Sequence, residues 1–383
     1  MRRACVVCGG YEGPQVYSFN AELCGLGALE ISVRCCSSCG MVQQDPAVSL
    51  ETAAKKYVQF SNYLNFNPGP PPLPPTAARM LGLLKEFEIA PGRVYDVGAA
   101  TGASLWHFRR SGWEVAGCEP SPNAVAQARH QRDVALDLGT EDQHLPNQKG
   151  LTLVTSSHVL EHVYEPAASL RRIHSALTSD GMLLLEVPCL TLPELNPPGI
   201  FTPEHVNYFD EVSLVNLREA NGFAIRRAFI TEHPLPYDFP VITLFAGKVE
   251  EGRSQQNCFD QNMEFLRQYA AHERRKWDHA DITIERSLAP HEPVFLWGAG
   301  WHTSNLLART KPAAEHPIIG IGDRDAQKHG EMVGPYTVLA ATEVLTGTAP
   351  IVISSHQFEA QIAADLREQC VDARRIVRPH SSQ

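Results

Sequence analysis

From Arg93 onward the apolar positions of the chain alternate between two periods. Short apolar runs at 93–97, 113–118, 134–137, 151–155 and 182–187 have strand length, and the segments between them, 103–111, 122–131 and 165–178, carry helical spacing. Strands alternating with helices predict a parallel sheet covered on both faces. A helix starting near Asp210 and closed by Asn221-Gly222, followed by strands at 223–230 and 241–249, finishes that sheet. An amphipathic stretch at 76–89 predicts a helix leading into the first strand, and a polar helical stretch at about 255–287 leads out of the last. A second strand-glycine-helix pattern begins at Val294, with further strands at 318–321, running on to Asp323, and at 351–355; it predicts a smaller α/β domain.

Ahead of the first strand, Tyr57, Phe60, Tyr63 and Phe66 recur at near-helical spacing, as in a helix packed on the next domain or, alternatively, a lid over a ligand. The run from Pro68 to Pro75 is too proline-rich for helix or sheet and reads as a stiff connector, with a partner-docking polyproline site as the alternative. At 383 residues the chain is too long for one core. The expected divisions are a cysteine-rich ribbon at 1–56, a helical and proline-rich connector at 57–90, the larger α/β domain at 91–250, a helical linker at 251–290 and the smaller α/β domain at 291–383.

A hydrophobic content of 43% excludes wholesale disorder, and no apolar run reaches the ~18 residues of a membrane span. The opening Met-Arg-Arg-Ala-Cys lacks the apolar segment of a secretory signal, so a cytoplasmic location and no membrane partner are expected. A formal charge of −10 without a basic run argues against nucleic acid as a partner, while leaving room for a single phosphorylated metabolite. Six of the ten cysteines lie in the first 39 residues. Cys5-Val-Val-Cys8 and Cys36-Ser-Ser-Cys39 form two C-x2-C knuckles 27 residues apart, each followed by a glycine, Gly9 and Gly40. Four reduced thiolates in this spacing predict a closed, structural zinc site, with Cys35 able to replace Cys36 and Cys24 a bystander.

The first strand ends in Asp96-Val-Gly98-Ala-Ala100-Thr-Gly102, and the next ends in Glu119-Pro120, 17 residues after Gly102. Glycines at a strand-to-helix turn let a ligand lie on bare backbone, and a carboxylate at the second strand's end can accept both ribose hydroxyls. The G-x-x-x-G spacing lacks the third glycine of the dinucleotide fingerprint. A carboxylate at position 96 would repel a pyrophosphate and suits the cationic S-adenosylmethionine. Ala100, Pro120, Asp142 and Ser157 complete the candidate cofactor-binding set. The alternative is a glycine-rich turn with no ligand.

Ser157-His158-Val-Leu-Glu161-His162 follows the fourth strand at the sheet's carboxyl edge, where substrates sit in such folds. Its H-x-x-E-H order is also that of a zinc peptidase, but the first histidine abuts a strand where that motif requires a helix. Thr202-Pro203-Glu204-His205-Val-Asn-Tyr208 is kept out of helix by its prolines and forms a loop near the same edge. His205 is the candidate base, with Glu204, His162 and His158 as further candidate catalytic groups and Tyr208 as a substrate contact. The bland alternative for His205 is a helix cap or a satisfied buried carbonyl. In the smaller domain Gly298 and Gly300 either hold a ligand or permit tight helix packing, and His302 and Thr303 at the helix start can donate to a phosphate.

On these residues the chain resembles the three-domain S-adenosylmethionine-dependent sugar C-methyltransferases. The resemblance rests on Cys5, Cys8, Cys36 and Cys39, on the Asp96–Gly102 loop with Glu119, on His158–His162, on Glu204-His205, and on Gly298-Ala-Gly300 with the Asp323–Gly330 segment. It implies an α/β fold built from an N-terminal zinc ribbon, a Rossmann-like class I methyltransferase domain and a smaller C-terminal Rossmann-like α/β domain. It also implies a small-molecule substrate, a nucleotide-linked keto sugar held between central and C-terminal domains, and a histidine of the Glu-His loop taking the proton beside the ketone. Two places depart from the family: Thr202 and Pro203 stand where a tyrosine and a histidine are usual, and Ile353-Ser-Ser-His-Gln-Phe358 replaces a Trp-Asn pair. O- or N-methylation of a sugar or another small metabolite is therefore the alternative activity, and a non-catalytic nucleotide-binding partner the alternative class.

Overall fold

A computed structural model of the chain describes residues 2–23, 27–49, 70–190, 200–232, 239–249, 256–311, 315–356 and 358–381. Cys24, the aromatic series Tyr57 to Phe66 and the start of the proline run lie outside these residues. The chain forms two compact units, Met1–Val16 with Val33–Thr191 and Glu204–Met263, and Tyr17–Ser32 with Leu192–Pro203 and Glu264–Gln383. Among the described residues no helix is long and apolar enough to cross a membrane.

Strands β1 (Gln15–Leu23), β2 (Gly27–Cys35) and β3 (Val42–Gln44) come first. Helix α1 (Pro75–Glu86) then leads into β4 (Arg93–Val97). The alternation continues through α2 (Ala103–Arg110), β5 (Glu114–Glu119), α3 (Pro122–Arg132), β6 (Asp137–Leu138), α4 (Glu141–His144), β7 (Leu151–Ser157), α5 (Pro166–Ala176) and β8 (Leu177–Pro188). The two-residue β9 (Asn207–Tyr208), α6 (Glu211–Glu219), β10 (Phe223–Thr231) and β11 (Val241–Lys248) follow.

The seven-stranded sheet of the first unit runs β10-β11-β8-β7-β4-β5-β6. Five strands are parallel, as the sequence predicts, but β11 pairs antiparallel with both β8 and β10, so the sheet is mixed. Only residues 232–240 separate β10 from β11, too few for the crossover that parallel neighbours need, so the two run antiparallel. Alternation along the strands splits the core between the two faces. Tyr95, Val97, Leu183 and Leu185 pack in one cluster, and Val94, Met182 and Leu184 in the other.

Two boundaries differ from the sequence reading. Asp133 adopts a left-handed conformation that ends α3, and Val134 N donates to Ala128 O, so Val134 closes the helix and the short strand starts at Asp137 instead of 134. Helix α5 stops at Ala176 because Leu177 already pairs with Leu151; the register then jumps to Met182 opposite Leu153, leaving 178–181 as a bulge.

The chain order reverses at β4, whose neighbours are β5 and β7, and at such a switch point the carboxyl ends of the strands leave a crevice for a ligand. Beside it, β3 pairs antiparallel with β9, Val42 opposite Tyr208. That pairing fixes the cysteine segment to the loop that carries His205.

The second unit contains α7 (Phe259–Ser287), most of which lies in it, then β12 (Val294–Trp297), α8 (Trp301–Arg309), β13 (Ile318–Asp323), β14 (Met332–Val333) and β15 (Tyr336–Ala340). It ends with α9 (Ala341–Thr346), β16 (Ile351–Ile353), α10 (Glu359–Glu368) and β17 (Ile376–Val377). Its sheet runs β14-β15-β13-β12-β16-β17 and is parallel except at β14. The sequence reading missed β14, β15 and β17, and its strand at 351–355 ends at Ile353. Phe295, Trp297, Val344, Ile351 and Leu366 form its core.

Candidate cofactor and acceptor site

The loop after β4 is built on left-handed backbone at Gly98 (φ +75°), Ala100 (φ +46°) and Gly102 (φ +70°). A side chain at 98 would put its Cβ 2.4 Å from Val159 Cγ2, and one at 102 would sit 3.2 Å from Ala128 Cβ. Glycine is therefore required at 98 by conformation and by space together. It also means that the turn after β7 packs directly on the loop after β4.

Glu119 ends β5 and is nearly buried; its two oxygens accept the backbone N–H of Ala100 and of Ser121, each at 2.9 Å. Each carboxylate oxygen has a further lone pair, so the group is locked in place and still able to accept from a ribose. Burial raises its pKa above the usual carboxylate range. Asp96, at the end of β4, accepts from the Thr155 hydroxyl at 2.7 Å. Burial, helped by the charge of Glu119, pushes Asp96 up to about 7 against the pull of that hydrogen bond. Pro120 is half-buried beside Glu119, and Asp142 is exposed in the first turn of α4, its carboxylate taking the Thr140 hydroxyl.

A polar cluster gathers where the turn after β7 meets β8. Glu186, fully buried in β8, accepts from Arg79 Nε at 2.9 Å and Nη2 at 2.7 Å, from the Thr76 and Thr243 hydroxyls at 2.9 and 3.1 Å, and from Ser157 at 3.3 Å. Burial alone would raise its pKa, but His158 and Arg79 outweigh it and hold Glu186 at about 2. His158, in left-handed backbone at φ +55°, lies between two acids, Nδ1 3.6 Å from Glu161 and Nε2 3.6 Å from Glu186. Desolvation opposes its charge, yet the two carboxylates win and raise its pKa to about 9, so the ring is a cation near neutral pH.

The loop at 204–208 is laced onto this turn. Val206 N donates to Glu161 O at 2.9 Å, His162 Nδ1 meets Glu204 O at 2.9 Å, and Asn207 Nδ2 donates to Leu160 O and Val163 O at 3.2 and 2.7 Å. His162 and His205 are thereby brought edge to face with ring centroids 4.8 Å apart. Their imidazole nitrogens and a carboxylate oxygen of Glu161 all lie within 4.8 Å of one another. Tyr208 is buried in β9, with Gln44 Nε2 3.4 Å from its hydroxyl.

Cys5, Cys8, Cys36 and Cys39 converge with all sulfurs within 4.8 Å of one another, and the Cys5–Cys39 and Cys8–Cys36 pairs at 3.5 Å. A tetrahedron of zinc–sulfur bonds of about 2.3 Å has edges of about 3.8 Å, so the four thiols fit that ion. Cys35 turns away and donates to Gly40 O at 3.4 Å, which singles out Cys36 as the third thiol. Gly40 (φ +84°) has no room for a side chain, since its Cβ would lie 2.5 Å from Cys258 Sγ.

In the second unit the pattern of β4 and β5 recurs. Asp323, at the end of β13, accepts from Ala299 N at 2.7 Å, from Asp325 N at 2.9 Å and from Lys328 Nζ at 2.9 Å. Burial works to raise its pKa, and Lys328 together with the amides of Asp325 and Ala299 lowers it. Gly298 is left-handed (φ +108°), and a Cβ at Gly300 would point into open space. The Thr303 hydroxyl donates to Gly298 O. His302 packs against Trp277 and His380, and burial depresses its pKa to about 3, which keeps it neutral.

Glu186, Arg79 and Thr155 escaped the sequence reading. A lone acid in the apolar run Leu183-Leu-Leu-Glu186-Val was the available signal, because an acid in a buried strand needs partners.

Residues 75–228 match the family model described as a methyltransferase domain. The sheet order above gives this segment a Rossmann-like α/β fold. Among curated proteins the chain is 30% identical over 137 residues to C-methyltransferase NovU of Streptomyces niveus, covering 34% of this chain and 33% of that protein. It is 35% identical over 102 residues to the tRNA U34 carboxymethyltransferase of Aeromonas salmonicida, covering 24% of this chain and 31% of that one. The chain thus spans about a third of the length of the curated relatives it matches. Among solved structures, magnesium protoporphyrin IX methyltransferase from Synechocystis superposes with a TM-score of 0.38 at 21% identity, over 45% of this chain and 82% of that one.

Replacing the buried Glu186 by Ala removes the partner of two half-buried cations and should cost about 3–5 kcal/mol of stability in urea unfolding. A loss below about 1 kcal/mol would show that the cluster does not hold the sheet edge together.

Proposed function

We propose that the chain is an S-adenosylmethionine-dependent methyltransferase that methylates carbon in a nucleotide-linked keto sugar, in the making of a glycan or a natural product. One observation carries the reading: the turn bearing Glu161 and His162 packs through Val159 on Gly98, so a cofactor loop and a histidine pair share one sheet edge. The relative named a C-methyltransferase supports the choice of carbon.

When bound, S-adenosylmethionine supplies a methyl group on a positively charged sulfur. The chain's own groups do the rest. Glu119 holds the ribose, Asp96 offers negative charge to the cationic end, and the bare backbone from Gly98 to Gly102 admits the nucleoside, with Ala100, Pro120, Asp142 and Ser157 around it. His205 takes the proton from the carbon beside the ketone, and the electron pair left behind forms the new carbon–carbon bond as the carbon–sulfur bond breaks. Glu204 and His162 orient that ring; His158 adds positive charge near the developing enolate oxygen. Tyr208 and, in the C-terminal domain, Gly298, Gly300, His302 and Thr303 are assigned to the substrate. Cys5, Cys8, Cys36 and Cys39 hold a structural zinc.

A second reading, O- or N-methylation of a small metabolite, is favoured by Thr202 and Pro203, which supply no acid or base beside the Glu-His pair.

Wild-type protein given a keto sugar nucleotide and no methyl donor should take up solvent deuterium beside the ketone. His205→Ala should stop that exchange and lower turnover by about 100-fold or more, with calorimetric cofactor affinity unchanged. Methyl found on oxygen or nitrogen, without exchange, would remove the carbon reaction; unchanged turnover in His205→Ala would dismiss the base.

Asp96 is raised to about 7, and a cationic ligand binds its ionised form, so cofactor affinity should rise with pH through that value. Calorimetry should find binding about tenfold tighter at pH 8 than at pH 6, with the slope lost in Asp96→Asn. An equal slope in the variant would remove Asp96 from cofactor binding.

Protein carrying Cys5→Ser and Cys8→Ser should emerge from purification without the zinc that the wild type retains, read by elemental analysis. Full zinc retention would refute the ligand set.

A further inference from the structure

Glu161 is 2% exposed, and neither of its carboxylate oxygens accepts a hydrogen bond among the described residues. His158 Nδ1 at 3.6 Å and His162 Nε2 at 3.8 Å stand just beyond hydrogen-bond reach of it. The cation on His158 offsets part of the cost of burying this carboxylate, and its oxygens still have room for a further positive charge. His162 shows what that is. Its Nδ1 lies 2.9 Å from the carbonyl oxygen of Glu204, and a carbonyl can only accept, so Nδ1 carries the proton and Nε2 the lone pair. An imidazole that donates one nitrogen to a backbone carbonyl while aiming the other at a carboxylate is oriented as metal-binding histidines are.

We propose that Glu161, His162 and His205 form a second metal site, distinct from the four-cysteine cluster, that takes a divalent transition ion such as cobalt, nickel or zinc. Two imidazoles and one carboxylate are a ligand set these ions accept with positions left open for water or an acceptor oxygen. The three ligand atoms already lie within 4.8 Å of one another. Metal bonds of about 2.0–2.1 Å place neighbouring ligand atoms about 3.4 Å apart, so closure needs rotations of the two rings and the carboxylate of about an ångström. Both histidines are only half-buried, which leaves a path for the ion. A consequence rests on the proposed role of His205: ion and proton compete for the same lone pair, so metal occupancy suppresses proton abstraction.

The test titrates cobalt(II) alone into full-length protein that retains its cysteine-bound metal. The expected result is one further equivalent per chain, with the visible bands of a nitrogen and oxygen site and no new thiolate-to-cobalt charge transfer. Loss of even an outer partner of a metal ligand costs roughly 10–100-fold in affinity, so Glu161→Gln and His162→Ala should each lower cobalt affinity by at least that much. Circular dichroism confirms that each variant is folded, and His205→Ala serves where one is not. No uptake beyond the cysteine site, or uptake unchanged in every folded variant, would overturn the proposal. The readout needs no substrate, so cobalt binding in a protein that shows no methyl transfer upholds the site and removes only the methyltransferase reading.

Discussion

The hydrogen bonds between residues 160–163 and 204–208 are the constraint on which the candidate site depends. Two segments more than forty positions apart are held together by Val206 N on Glu161 O, the His162 ring on Glu204 O and the Asn207 amide on two carbonyls. Without them His205 belongs to an irregular loop of no fixed position. With them its ring meets that of His162, and both stand over a carboxylate. The carbonyls of Leu160, Glu161 and Val163 in the turn after β7 would otherwise need water; here the loop satisfies them, so the same bonds order the loop and bring the two histidines together.

Two further contacts tie this assembly to its surroundings. Val159 fills the space that a side chain at Gly98 would take, so the glycine loop cannot relax without moving the histidine turn. Strand β9 continues the lacing into a pairing with β3, and β3 follows the second cysteine knuckle. Through that pairing the cysteine segment and the loop that carries His205 share one sheet.

Much of the fold was legible in the sequence, because periodicity and glycine placement report local structure. The seven strands of the larger sheet, most of the helices between them and the loop from Asp96 to Gly102 follow from runs of a few residues each, while β1–β3 and β9 do not. What was not legible depends on partners far away in the chain. Glu186 reads as a lone acid until Arg79, Thr76 and Thr243 arrive from other elements, more than fifty residues off on either side. The choice of Cys36 over Cys35 turns on which way a thiol points, and Gly98 proved to serve a packing contact as well as the bare backbone that its motif suggests. The antiparallel edge was hidden for a simpler reason: strand direction is set by connections, which apolar spacing does not encode.

One sheet edge joins the glycine loop to an acid-histidine cluster, and the proposed function requires that the cofactor bind there. A crystal structure with S-adenosylhomocysteine tests it most directly. The nucleoside is expected against Gly98–Gly102, its ribose on Glu119 and its sulfur facing the turn that bears Glu161 and His162. Density for the ligand away from that edge, or a ribose that leaves Glu119 untouched, would contradict it.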